Sequence, residues 1–255
     1  MDLMNETFLA AIVIIASTVV VALLFYRVSH WLVGPKPETA SKELSGSILG
    51  RVSALHALIL GLVFAQLALD YRVLQKDLGS EADTVIQIVT DARLHGGEGA
   101  DGIISGTKDY VDAVVNHEWQ DFASAKAEGS AGRVAWLKIY KQTLNLNSET
   151  AVQKMLHDNL VAKARALETL RNKRLNIAGG SNQIAFWFAA IAGLVIISVS
   201  YFAFAPSGVN LAFVSLFGAY NGITLFLIYA LVNPYVAPGA IQPDVLIHAS
   251  SLIGQ

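Results

Sequence analysis

Apolar and polar residues fall along this chain in long blocks rather than short alternations. Phe8 to Tyr26 is nineteen residues without a charge, and the apolar character persists to Val33 past Arg27 and His30. Such a run makes about 28 Å of helix, close to the ~30 Å hydrocarbon core of a bilayer. Its acidic start, Asp2 and Glu6, and its length predict a retained span rather than a cleaved leader. Gly34-Pro35-Lys36-Pro37 predicts the end of the helix, because proline disfavours helical geometry in the residue before it. A second run, 48–69, carries Arg51, His56 and Gln66 and continues without a breaker into Asp70-Tyr71-Arg72, which predicts one long helix that leaves the membrane. Runs three (184–205) and four (209–232) are joined by Pro206-Ser207-Gly208, a tight turn that makes them an antiparallel hairpin. The first span is then about 8–33.

Between spans two and three lies a polar insert, 70–178. Helical spacing of Leu74, Leu78, Val85, Ile88 and Val89 predicts a helix to about residue 94, broken by the glycine-rich stretch 95–102. A second helix is expected over 103–125, with Tyr110, Val114 and Trp119 as its apolar stripe. Glu128 to Gly132 reads as a turn, and 133–144 as a short helix. Asn147 or Ser148 is the expected cap of a last helix running to Ala178. Beyond the fourth span, Asn233-Pro234 and Pro238-Gly239 predict an irregular tail. The expected fold is an all-α membrane protein: four transmembrane helices, two plus two, with 1–69 and 179–255 in the membrane domain and a helical cytoplasmic domain over 70–178.

Composition supports the membrane assignment. Apolar residues make up 54% of the 255 and charged residues 15%, well below the ~25% of an ordinary soluble domain. No Lys or Arg follows Arg174. A net charge of −2 provides no field for nucleic acid, so no nucleic-acid partner is expected. Zero cysteines exclude thiol chemistry and cysteine-based metal sites. Lys and Arg are fewer in the loop between spans one and two (Arg27, Lys36, Lys42, Arg51) than at the insert's ends (Arg72, Lys76, Arg93, Lys163, Arg165, Arg171, Lys173, Arg174). That bias places the insert and both termini in the cytoplasm. Within the insert, residues 70–128 hold five basic and twelve acidic side chains, and 129–178 nine and three. Opposite signs on consecutive helices suit one bundle or contact between subunits.

Candidate chemistry is sparse. His117-Glu118 with Asp121 reads as surface rather than metal ligands, and Ser53 near His56 lacks an orienting acid. No catalytic residue, metal or cofactor is expected, and the chain reads as no enzyme. The informative positions lie in the second span. At 100° per residue His56, Ile59, Val63, Gln66 and Asp70 share one face, a polar stripe with an apolar middle. Polar groups at bilayer depth cost about 2–3 kcal/mol against lipid, so they face protein or water. One reading is the lining of a pore, with Ile59 and Val63 as its constriction; the other is hydrogen bonding that holds helices together. The opposite face, with Ala57, Gly61 and Ala65, is small enough for close helix approach, as are Gly218 and Gly222 in span four. Asn221, between those glycines, suggests an interhelical hydrogen bond.

Several short motifs also carry a resemblance: Leu60-Gly61-Leu62-Val63-Phe64-Ala65, Tyr71-Arg72, Glu81-Ala82, Tyr110-Val111, Glu118-Trp119, Arg171 with Arg174, Trp187, and Asn233-Pro234-Tyr235. Together they resemble the bestrophin-like family of bacterial and plant membrane proteins over about residues 45–247. The family usually shows Pro-Phe plus a glycine after the last span, where this chain has Pro234-Tyr235 and a displaced Gly239. The resemblance implies a multi-pass protein of a bacterial inner membrane. Bestrophins are pentameric anion channels, so it further implies a homo-oligomer, a pentamer if the likeness extends so far, passing inorganic ions such as chloride along the second span. The rival reading is a non-conducting membrane scaffold or sensor whose cytoplasmic helices bind a partner.

Overall fold

A computed structural model describes residues 2–33, 39–124, 130–178 and 183–254. They form α1 (Asp2–Val33), α2 (Thr39–His95), α3 (Ala100–Ala113), a π turn (Val114–Glu118), α4 (Trp119–Ala123), α5 (Ser130–Leu144), α6 (Ala151–Ala178), α7 (Gln183–Ser200), a 3₁₀ turn (Tyr201–Ala203), α8 (Gly208–Val232) and α9 (Asp244–Ile253). Four of these helices are long and apolar enough to cross a membrane: Glu6–Leu32, a stretch of α2, Ile184–Ala203 and Gly208–Val232. The all-α expectation and the number of spans agree with the structure. The chain divides into two compact units, one of residues 1–69, 181–232 and 237–239, the other of 70–180, 233–236 and 240–255.

In the first unit, α1 packs along α8. The reason is the absence of side chains at Gly218 and Gly222: a Cβ at Gly222 would strike Thr18 Oγ1 and the Ile15 backbone, and one at Gly218 the Val19 backbone. Thr18 satisfies its own hydroxyl by donating to the Ile14 and Ile15 carbonyls at 3.1 and 2.8 Å. Leu60, Val63 and Leu67 of α2 pack with Ala190, Leu225 and Ile228. Tyr26 donates to the Phe204 carbonyl at 2.8 Å and tethers α1 to the α7–α8 connection.

The second unit is a helical bundle around Leu74, Val85, Ile103, Tyr110, Phe122, Ile139, Leu160 and Leu167. Its α2 and α6 segments run antiparallel, joined by Asp77–Lys173, Glu81–Arg174 and Asp91–Lys163. The opposite charges of the insert's two halves thus meet inside one bundle. Gly96 (φ 61) and Gly99 (φ 97) close the turn after α2 in a conformation that side chains disfavour.

Three expectations are corrected. The tail is not irregular throughout: Leu246, Ala249 and Ile253 of α9 enter the core at helical spacing. The cap of α6 is Thr150, whose hydroxyl accepts from Gln153 N–H, while Gln153 Oε1 accepts from the Thr150 amide, a reciprocal box. Ser130, Ala131 and Gly132 belong to α5 rather than a turn; the rest of that expected turn lies outside the described residues. In addition, α2 begins nine residues before the second apolar run: Thr39 to Ser47 is helical. Gly222→Ala should lower the thermal midpoint of the detergent-solubilised protein. Gly79→Ala, with nothing within 4 Å of the new methyl, should stabilise it by up to about 1 kcal/mol.

Candidate functional site

Among its described residues each unit buries a polar centre that joins distant helices. In the first, His56 is only 5% exposed and its Nε2 lies 3.0 Å from Asn221 Oδ1, so that nitrogen carries the proton and donates. Asn221 in turn donates through Nδ2 to the Phe217 carbonyl at 2.9 Å. The imidazole fits because residue 193 is glycine; a Cβ there would fall on the ring. Asn221 therefore makes the interhelical bond expected of it.

The stripe on α2 is divided by this packing. His56 and Val63 turn inward with Leu60 and Leu67, whereas Ile59 is 44% exposed, Gln66 is exposed and Asp70 half-buried. Ala57, Gly61 and Ala65 are exposed, and among the described residues nothing comes within 4 Å of a Cβ built on Gly61. Gly218 and Gly222 lie instead against α1.

The second centre joins four charges. Glu118 Oε1 accepts from Gly132 N–H at 3.0 Å and from Arg171 Nε and Nη2 at 3.1 and 2.7 Å; its Oε2 accepts from Arg174 Nη2 at 3.0 Å. Glu81 Oε1 accepts from the Tyr110 hydroxyl at 2.6 Å and from Arg174 Nη2 at 3.2 Å, and Oε2 from Arg174 Nε at 3.2 Å. The Arg174 guanidinium lies over the Phe122 ring at 5.4 Å and the Trp119 ring at 6.0 Å. Tyr235 packs edge-on to Trp119 and donates to the Arg174 carbonyl at 3.1 Å. Trp119 donates to the Ile241 carbonyl at 3.2 Å, drawing the tail into the same centre.

Two guanidinium groups offset two carboxylates, so the buried set is neutral as a whole. Burial alone would lower the Arg174 pKa, but Glu81, Tyr110 and Glu118 outweigh it and hold the guanidinium charged. Burial, and then the Glu81 carboxylate, push the Tyr110 hydroxyl well up, so it stays a neutral donor. Burial raises Tyr235 in the same way, partly countered by Arg174. All four carboxylate oxygens accept hydrogen bonds, which suits them to holding helices rather than to taking protons from a substrate.

The expected surface position of Glu118 is corrected here: it is 0% exposed. The π turn rotates it inward. Its mark in the sequence was the five-residue step from Val114 to Trp119, both buried, where an unbroken helix gives three or four. Charge-by-charge reading could not find this centre, because its members lie far apart in sequence. Yet Glu81, Tyr110, Glu118, Trp119, Arg171, Arg174 and Tyr235 are all among the residues that carried the family resemblance, and the fold brings them together.

These features define a multi-pass, all-helical membrane protein. A family model described as Bestrophin-like domain matches residues 15–246, and the chain belongs to that family, one known for channels rather than enzymes. Neither a curated protein nor a solved structure matches the chain. Arg174→Met leaves the buried Glu81 carboxylate without its guanidinium while Glu118 keeps Arg171, and should cost about 3–5 kcal/mol in unfolding experiments on the full chain. A double-mutant cycle with His56→Ala and Asn221→Ala should return a coupling of about 0.6–1.7 kcal/mol.

Proposed function

We propose that the chain is one subunit of a homo-oligomeric ion channel or pore, conducting anions, with the second span along the path. The observation that carries this reading is the outward side of α2. Ala57, Gly61 and Ala65 leave a helix surface that a second copy can approach closely, and Ile59 and Gln66 are exposed on the face opposite it. The Bestrophin-like match supports the same class of function. In this reading Ile59, Gln66 and Asp70 face the path. His56 and Val63 shape it from behind through their packing within the chain, and Ile59, backed by Val63, supplies its apolar constriction, of the kind that gates by dewetting. The Lys and Arg bias supports an insert and termini on the cytoplasmic side, and the bestrophin likeness supports a bacterial inner membrane. Subunit number follows the bestrophin likeness toward a pentamer.

Purified protein reconstituted into vesicles or planar bilayers should pass chloride. Ile59→Ala with Val63→Ala should raise unitary conductance, and Gly61→Trp should shift the detergent-solubilised particle to smaller mass. Silent bilayers across anions, cations and voltages, with a soluble protein co-purifying, would favour the membrane scaffold instead.

A further inference from the structure

The far end of the second unit carries a third polar arrangement that the proposed function does not use. His95, the last residue of α2, is buried, and both ring nitrogens are engaged. Nδ1 accepts from the Gly97 amide at 3.2 Å, and Nε2 lies 3.1 Å from Ser148 Oγ, which itself donates to the Gln153 carbonyl at 3.4 Å. The Gln153 side chain returns a bond to the His95 carbonyl at 3.2 Å while capping α6. The ring also occupies the space a side chain at position 97 would need, for a Cβ there would lie 2.8 Å from Cε1. One imidazole therefore fastens the end of α2, the glycine turn and the start of α6.

That fastening requires the neutral ring. An amide N–H points at Nδ1, so a proton on Nδ1 would set two donors against each other. We propose that His95 is a proton-operated clasp: protonation of its imidazole releases the Gly97 amide and opens the glycine turn together with the first turn of α6.

The surroundings offer the charged ring little relief. On α2, Asp91 is held by Lys163 at 2.6 Å, and Arg93 donates to the Ile253 carbonyl. On α6, His157 is near enough to disfavour charge on the ring, and its Nε2 is buried without a hydrogen-bond partner, while Asp158 lies 3.8 Å from the other His157 nitrogen. Lys154 and Glu149 are exposed, as are Glu98 in the turn, Asp101 on α3, Lys141 on α5, and Asp244 and His248 on α9. Among the described residues no carboxylate forms an ion pair with His95.

Burial, followed by His157, lowers the His95 pKa from its ordinary 6.5. The sign follows. The unfolded chain takes up its proton near pH 6.5 and the folded ring only at lower pH. The clasp therefore contributes fully above that value, and its contribution is lost as pH falls from about 6.5 toward the folded pKa.

The test uses the full-length protein in detergent, with ¹³C-labelled histidine followed by NMR and amide exchange followed by mass spectrometry. His95 should titrate below pH 6.5. Between pH 7.5 and 5.5, exchange in residues 96–100 and 148–153 should accelerate several-fold, up to about tenfold, beyond the intrinsic change, and His95→Gln should abolish that acceleration. His157→Gln should move the midpoint upward by removing a like charge. A His95 titration at or above pH 6.5, unchanged exchange, or equal acceleration in His95→Gln would overturn the clasp. Should His95→Gln fail to fold, the titration and exchange of the unaltered protein decide the matter.

Discussion

Four charges that have left water and found one another hold the second unit together. Glu81, Glu118, Arg171 and Arg174 come from α2, the π turn and α6, and each carboxylate oxygen meets a donor. A lone ion in this position would cost several kcal/mol, so the members are tolerable only as a set. The consequence is geometric discipline. The π turn carries Glu118, the bare amide at Gly132 donates to it, and the Phe122 and Trp119 rings cover Arg174, whose Nη1 is buried without a hydrogen-bond partner.

The membrane unit solves a related problem with fewer means. Lipid offers no hydrogen bonds, so His56 and Asn221 satisfy each other and glycines make the room. Packing there comes from missing side chains as much as from present ones: Gly193 accommodates an imidazole, and Gly218 and Gly222 accommodate a helix. This divides α2 into a buried side packed within the chain and an exposed side that carries Ala57, Gly61 and Ala65.

Much of this was legible in the residues alone. Uncharged runs of bilayer length name the spans because hydrocarbon admits little else, and glycine clusters mark the turn after α2. A single helix has a regular period, so the stripe on α2 could be drawn. What periodicity cannot say is which part of the stripe looks inward; that depends on where Gly193 and Asn221 arrive. The α9 helix was hidden behind two prolines, and the Thr150–Gln153 box lay just past two more obvious caps. The charge centre was invisible as a centre, because pairs such as Glu81 and Arg174 are joined by folding rather than by proximity in the chain.

Tyr235, Ile241 and α9 come after the fourth span, yet they complete a core whose other walls precede the third. As the ribosome extends the chain, the insert helices emerge with the Trp119 indole and the Arg174 carbonyl still waiting for partners encoded at the far end of the message. The bundle can be sealed only after both late spans have been made. Synthesis thus has an internal order: residues that follow the fourth apolar helix finish the second unit, and a nascent chain stalled before residue 235 lacks the ring that packs on Trp119.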